Sequence, residues 1–110
     1  MDQKNTWGFA TRQIHAGKQD NSAGALCTPI YQTSTFAFDS VEQGGARFAG
    51  QENGYIYTRL GNPSLTAVEA KMAELEKGEA ALVAASGMGA ISSAIWSAVE
   101  AGDEIIASDT

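Results

Sequence analysis

Apolar and polar positions follow two different regimes along this chain, and the change falls near its middle. From residue 62 onward the pattern is regular. Leu65, Val68, Met72 and Leu75 recur at steps of three and four, which draws one apolar stripe along a helix. Asn62-Pro63 supplies the start of that helix, since Asn is a favoured N-cap and Pro suits the first helical position. Glu69, Lys71, Glu74 and Glu76 fall off the stripe and are expected to face water, and Gly78 is expected to close the helix as a left-handed cap. Residues 80–85 form a short apolar run flanked by glycines, the right length for a buried parallel strand. Periodicity does not separate such a run from a piece of buried helix; the flanking glycines favour strand. Ser86-Gly87-Met88-Gly89 then turns the chain into a second helix, expected over residues 88–101. Its apolar positions are Met88, Ile91, Ile95, Ala98 and Val99, with no charged side chain before Glu100, so it is expected to be covered on two sides. Gly102-Asp103 closes it, and residues 104–107 begin a second strand. Strand, helix, strand in this order is a right-handed parallel crossover. One such unit makes no stable sheet, so the expectation is the beginning of a larger α/β protein.

The first half reads differently. It lacks sustained helical periodicity and holds Trp7, Phe9, Tyr31, Phe36, Phe38, Phe48 and Tyr55, most of the chain's aromatic residues. Ordering an irregular backbone costs about 1–2 kcal/mol per residue, so large rings in such a segment need a surface to lie on. That surface is either the rest of the chain or a second subunit, and an arm that clasps a second subunit fits better. The 110 residues allow one small domain at most. A 44% hydrophobic fraction excludes wholesale disorder. Thirteen acids against seven bases give a net charge of −6 with no basic block, which argues against a nucleic-acid or anionic-membrane surface. The longest uncharged stretch, residues 80–99, is interrupted by Ser and Gly and does not read as a membrane span. The first residues show no apolar run followed by a cleavage site, and the single Cys27 makes no internal disulfide; both suit the reducing cytoplasm.

Two constellations carry chemistry. At Ser86-Gly87-Met88-Gly89, a strand-to-helix turn, unpartnered amides and the positive end of the helix dipole suit a phosphate, the glycines allow close approach, and the serine hydroxyl is a further donor. The same residues also suit a plain tight turn. The pattern is neither GxGxxG nor GxxxxGK[ST], which disfavours nicotinamide cofactors and ATP. At Tyr57-Thr58-Arg59, residues two apart on an extended stretch face one side, so phenol and guanidinium together would grip a phosphate dianion. The alternative is a surface Arg beside a half-buried Tyr. His15 is the only histidine and, with Cys27, makes no metal cluster; it is expected to be a hydrogen-bonded arm residue. Cys27 is expected to be a small buried or interface residue, Met72 helix core, and Met88 a backbone contributor.

The run Tyr57-Thr58-Arg59-Leu60-Gly61-Asn62-Pro63-Ser64, followed by Ala85-Ser86-Gly87-Met88-Gly89-Ala90-Ile91, resembles the trans-sulfuration (Cys/Met metabolism) family of pyridoxal-phosphate enzymes. Gly8-Phe9-Ala10-Thr11-Arg12 with His15-Ala16-Gly17, and Thr28-Pro29-Ile30-Tyr31-Gln32-Thr33-Ser34-Thr35-Phe36, are similar to the same family. Residues 36–63 look closest to its methionine γ-lyase branch, and Ser64 stands where the family more often has Thr. The resemblance implies an aspartate-aminotransferase-like fold: residues 1–56 as an arm clasping a neighbouring subunit, and residues 57–110 as the start of the large cofactor-binding domain, a mostly parallel sheet between helices. It implies pyridoxal 5'-phosphate as cofactor. Tyr57 and Arg59 would reach the cofactor phosphate of the neighbouring subunit, while Ser86, Gly87 and Met88 would bind the phosphate of the chain's own cofactor. Active units in the family are dimers, usually paired into tetramers.

No position here matches the family's cofactor-bearing lysine, ring-stacking tyrosine, pyridine-pairing aspartate or substrate-carboxylate arginine. Lys4 and Lys18 fall in the arm, and Lys71 and Lys77 on or at the end of a solvated helix. The chain is therefore expected to hold half a phosphate site and no catalytic residue. The function implied is that of the N-terminal part of a lyase cleaving L-methionine or a related sulfur amino acid by α,γ-elimination. The alternatives are a cystathionine γ-lyase or O-acetylhomoserine sulfhydrylase of the same family, or a non-catalytic phosphate-binding or interaction fragment.

Overall fold

Pro63–Glu76 is a helix because Asn62 starts it: the Asn62 side chain accepts a 2.9 Å hydrogen bond from the Ser64 amide, and Pro63 occupies the first helical position. The computed structural model describes residues 6–109. In chain order its helices are α1 (Phe9–His15), α2 (Val41–Phe48), α3 (Pro63–Glu76) and α4 (Gly87–Ala98). Among the described residues, β pairing is confined to one antiparallel bridge between Thr35 and Tyr57.

The end of α3 departs from expectation by one residue. Lys77, not Gly78, takes the left-handed conformation, with φ 57° and ψ 30°, and the Gly78 amide returns to the Ala73 carbonyl at 2.9 Å. The expected apolar stripe is not what α3 buries. Leu65, Val68 and Met72 remain 36%, 48% and 45% exposed, whereas Ala67 is buried. Ala67 lies against the end of α1, where the C-cap residue Ala16 is buried; among the described residues α1 and α3 are the one helix pair in contact. Small residues decide this contact because they let the backbones approach. Gly17, just past α1, has φ +69°, and a Cβ there would collide with the Ala67 carbonyl oxygen. Arg12 fastens the pair: its Nε donates to the Trp7 carbonyl at 3.1 Å and lies 3.5 Å from the Glu74 carboxylate. Glu74 is thus not a free solvated acid, and neither is Glu69, which accepts the Val83 amide at 3.0 Å.

Neither α1 nor α2 was legible as periodicity, since 7 and 8 residues are too short to draw a stripe. The Ser40 hydroxyl starts α2 by accepting the Gln43 amide at 3.1 Å. Glu42, in its first turn, is held below the ordinary carboxylate range by its own backbone N–H and by the Ser40 hydroxyl. Arg47 closes the lobe: it ion-pairs with Glu52 at 3.0 Å, stacks 5.8 Å from the centre of the Phe38 ring and donates to the Tyr55 carbonyl at 3.4 Å.

Three further expectations change. The second regular helix stops at Ala98, and Val99 is already extended. Its apolar face is uncovered among the described residues: Ile91, Ile95 and Trp96 are 54%, 41% and 79% exposed. The strand–helix–strand unit is not formed as a paired sheet, because residues 80–85 and 104–107 find no neighbouring strand among the described residues. A parallel strand gains its ladder only from such a neighbour. The Cα radius of gyration, 17.8 Å, accordingly exceeds the value of about 13 Å for a compact domain of this length.

Gly17→Ala should separate α1 from α3, because the added methyl meets the Ala67 carbonyl and the left-handed backbone disfavours a side chain. A loss of about 1–3 kcal/mol is expected from the backbone alone, read as a lower melting temperature and faster amide exchange in both helices.

Candidate functional site

The site is built from a short antiparallel pairing followed by a tight turn. The Phe36 amide donates to the Ile56 carbonyl at 3.1 Å and the Thr58 amide to the Ser34 carbonyl at 2.8 Å, which locks residues 34–36 alongside 56–58. The chain then turns rather than running on. The Leu60 and Gly61 amides both donate to the Tyr57 carbonyl, at 2.8 and 3.1 Å. Tyr57 and Arg59 were expected to share a side through extended geometry. They do meet, but through the turn, which folds the Arg59 guanidinium to 4.9 Å from the centre of the Tyr57 ring. A cation stacked on an aromatic face keeps its in-plane N–H donors available.

The charge economy of the chain leaves Arg59 for such use. Arg12 is committed to Glu74 and Arg47 to Glu52, whereas Arg59 has no carboxylate partner among the described residues. It opens onto a cleft of about 750 Å³. One wall is residues 30–34, the other Tyr57, Thr58, Arg59, Asn62 and Leu65.

Asn62 joins the two walls, a role beyond the capping that the sequence predicts. Its Nδ2 donates to the Tyr31 carbonyl at 2.9 Å and to the Thr58 hydroxyl at 3.0 Å while its Oδ1 caps α3. Asn62 is 3% exposed. The available signal was chemical: a capping Asn uses its oxygen and still has two N–H donors to place. Thr58 passes the connection on, its hydroxyl donating to the Thr33 carbonyl. Ser64 adds a second tie by accepting from the Tyr31 amide at 2.8 Å and donating to the Pro29 carbonyl at 3.2 Å.

The second constellation begins α4. Ser86 Oγ accepts the Gly89 amide at 3.0 Å, which leaves its own proton to donate. The Gly87 and Met88 amides have no acceptor among the described residues, and the space above Gly87 is open to 4 Å. Two free amides, a hydroxyl and the helix dipole form a donor set for a phosphate. This turn does not line the Tyr57–Arg59 cleft. The structure thus brings Tyr57 and Arg59 together, and keeps Ser86, Gly87 and Met88 at a separate turn.

Other residues behave otherwise than expected. His15 is exposed and engages the Trp7 ring, with centroids 5.7 Å apart, rather than making a hydrogen-bonded anchor. Cys27 is exposed rather than buried within the chain, and Met72 is half-exposed and not core. No cluster of three His, Cys, Asp or Glu capable of holding a metal occurs among the described residues. Lys18, Lys71 and Lys77 do not line the cleft, and Lys4 lies outside the described residues. No helix among the described residues is long and apolar enough to cross a membrane.

Residues 10–110 match the family described as Cys/Met metabolism PLP-dependent enzyme. The chain is 68% identical over 103 residues to L-methionine gamma-lyase of Porphyromonas gingivalis and 67% identical over 103 residues to L-methionine gamma-lyase of Treponema denticola. Each alignment covers 94% of this chain and 26% of the relative, so the chain spans about a quarter of the relatives' length. Among solved structures, a putative O-acetylhomoserine (thiol)-lyase from Campylobacter jejuni, carrying N'-pyridoxyl-lysine-5'-monophosphate, superposes with a TM-score of 0.81 at 32% identity, over 89% of this chain and 24% of that one.

Ser86→Ala should lower stability by about 1 kcal/mol through loss of the α4 cap, and Ser86→Asp should restore it, since Asp caps equally well. Thermal melting of the two variants checks this directly.

Proposed function

The chain belongs to the Cys/Met metabolism family of PLP-dependent enzymes, and on that premise we propose that the protein carrying it is a carbon–sulfur lyase acting on L-methionine. The observation that carries the reading is a cationic grip, Arg59 stacked on Tyr57 with no competing carboxylate among the described residues, in a chain 68% identical to an L-methionine gamma-lyase. Water and L-methionine would yield methanethiol, 2-oxobutanoate and ammonia by α,γ-elimination.

Both anion-facing turns fit the phosphate of pyridoxal 5'-phosphate by donor chemistry. When bound, that cofactor supplies an electron sink for the charge left on carbon as protons depart. The residues of this chain hold it. Arg59 places a permanent positive fork against the dianion, and Tyr57 supplies both the face that stacks the guanidinium and a phenolic donor. Gly87 and Met88 offer backbone amides and Ser86 a hydroxyl. None of these groups moves a proton in the reaction; their work is to fix one end of the cofactor.

The Ser86 turn is absent from the Tyr57–Arg59 cleft, which supports two phosphate sites shared between subunits. In this arrangement Tyr57 and Arg59 serve the neighbour's cofactor and Ser86, Gly87 and Met88 the chain's own. Residues 1–56 form the arm to the neighbour, and residues 57–110 open the large domain. Residues 80–85 and 104–107 pair there as strands of a mostly parallel sheet, and the exposed faces of α3 and α4 are covered. The active unit is a dimer, assembled into a tetramer in the cytoplasm.

The purified full-length protein should release methanethiol and 2-oxobutanoate from L-methionine in equal amounts. Turnover only of O-acetylhomoserine with an added thiol would move it to the sulfhydrylase reading instead. A charge-assisted hydrogen bond contributes about 1.5–3 kcal/mol, so Arg59→Ala should weaken cofactor affinity by about ten- to a hundredfold. Co-refolding Arg59→Ala with a variant lacking the cofactor-bearing lysine should restore activity above either parent at limiting cofactor, because one site of the mixed dimer is then intact. Absence of rescue would place Arg59 at its own chain's cofactor.

A further inference from the structure

No hydrogen bond to a described residue holds the side chain of Tyr57 or of Arg59; what sets their direction is the turn between them. Backbone bonds shape that turn, and one side-chain hydroxyl ties it to the opposite wall. The Thr58 hydroxyl donates to the Thr33 carbonyl on the opposite wall and accepts from Asn62 Nδ2 at 3.0 Å, while the Thr58 amide donates to the Ser34 carbonyl at 2.8 Å. Asn62 is itself immobilised, being 3% exposed with its oxygen on the Ser64 amide and its nitrogen also on the Tyr31 carbonyl. A hydroxyl is the right group for the middle of this chain, since it donates once and accepts at the same time.

We propose that Thr58, held by Asn62, is a positioning residue that orients Tyr57 and Arg59 for the cofactor phosphate. The proposal rests on the anion-site reading of that pair. Its physical basis is preorganisation. A long arginine on a loose turn must be ordered when the anion binds, and that ordering opposes affinity; a turn already pinned across the cleft removes the cost beforehand. Valine has nearly the shape of threonine and neither hydroxyl bond, so Thr58→Val keeps the backbone bonds of the turn, removes its side-chain tie across the cleft and leaves the Arg59 fork chemically unchanged. Serine keeps the hydroxyl.

The test uses the full-length protein stripped of cofactor and titrated with pyridoxal 5'-phosphate, followed by absorbance and tryptophan fluorescence, with inorganic phosphate as competitor. Thr58→Val should weaken binding of both by about tenfold, within the range for the loss of the hydroxyl's two hydrogen bonds, and Thr58→Ser should stay within about twofold of the parent. Thr58→Val combined with Arg59→Ala should bind no more weakly than Arg59→Ala alone, because the hydroxyl acts through the guanidinium. If Thr58→Val does not fold, Thr58→Ala carries the same expectation. Parental affinity in Thr58→Val, equal losses in Val and Ser, or additive losses in the double variant would each overturn the positioning role while the anion site stands. Parental affinity in Arg59→Ala would instead overturn the anion-site reading, and the positioning role with it.

Discussion

The buried amide of Asn62 is the constraint on which the cleft and the start of α3 depend. Its oxygen starts α3, and its nitrogen holds residue 31 on one side and Thr58 on the other. A polar group taken out of water at 3% exposure is tolerable only if its donors and acceptor are satisfied, and here they are. The consequence is geometric. The first turn of α3, the 29–35 segment and the turn carrying Tyr57 and Arg59 are referred to one fixed point, so the cleft has walls of defined separation although little apolar surface is buried around it.

That scarcity of buried apolar surface shapes everything else. The closest packing, between α1 and α3, relies on Ala16, Gly17 and Ala67, residues too small to remove much area from water. The larger side chains, Leu65, Val68 and Met72 on α3 and Ile91, Ile95 and Trp96 on α4, stay exposed. Polar ties do the local ordering instead: Arg12 to Glu74, Arg47 to Glu52 and Tyr55, Glu69 to the Val83 amide. Polar networks of this kind specify position well but contribute modestly to stability, because each bond replaces one to water. Burial of the uncovered faces is the larger energetic reserve, at about 25 cal/mol per Å².

The same division governs charge. In a chain with net charge −6, an unpaired cation is surrounded by acids that could neutralise it. Arg12 and Arg47 are neutralised, and they hold structure. Arg59 has no carboxylate partner among the described residues and stacks on Tyr57, which covers the face of the guanidinium and leaves its edge.

What the sequence by itself determined was local and chemical. The Asn62-Pro63 start of α3, the turn at residues 86–89 that leads into α4, the pairing of Tyr57 with Arg59 and the family were all legible, because capping and turn chemistry are written in short runs of neighbouring residues. Tertiary structure decided what depends on distant partners. It placed α1 on Ala67 rather than the Leu65 stripe, committed Glu74 and Glu69 to partners, moved the left-handed residue to Lys77 and gave Asn62 three bonds where a cap needs one. Residues 80–85 and 104–107 show the limit from the other side: an alternating or apolar run predicts strand propensity, yet a strand exists only when a second backbone lies beside it to complete the ladder.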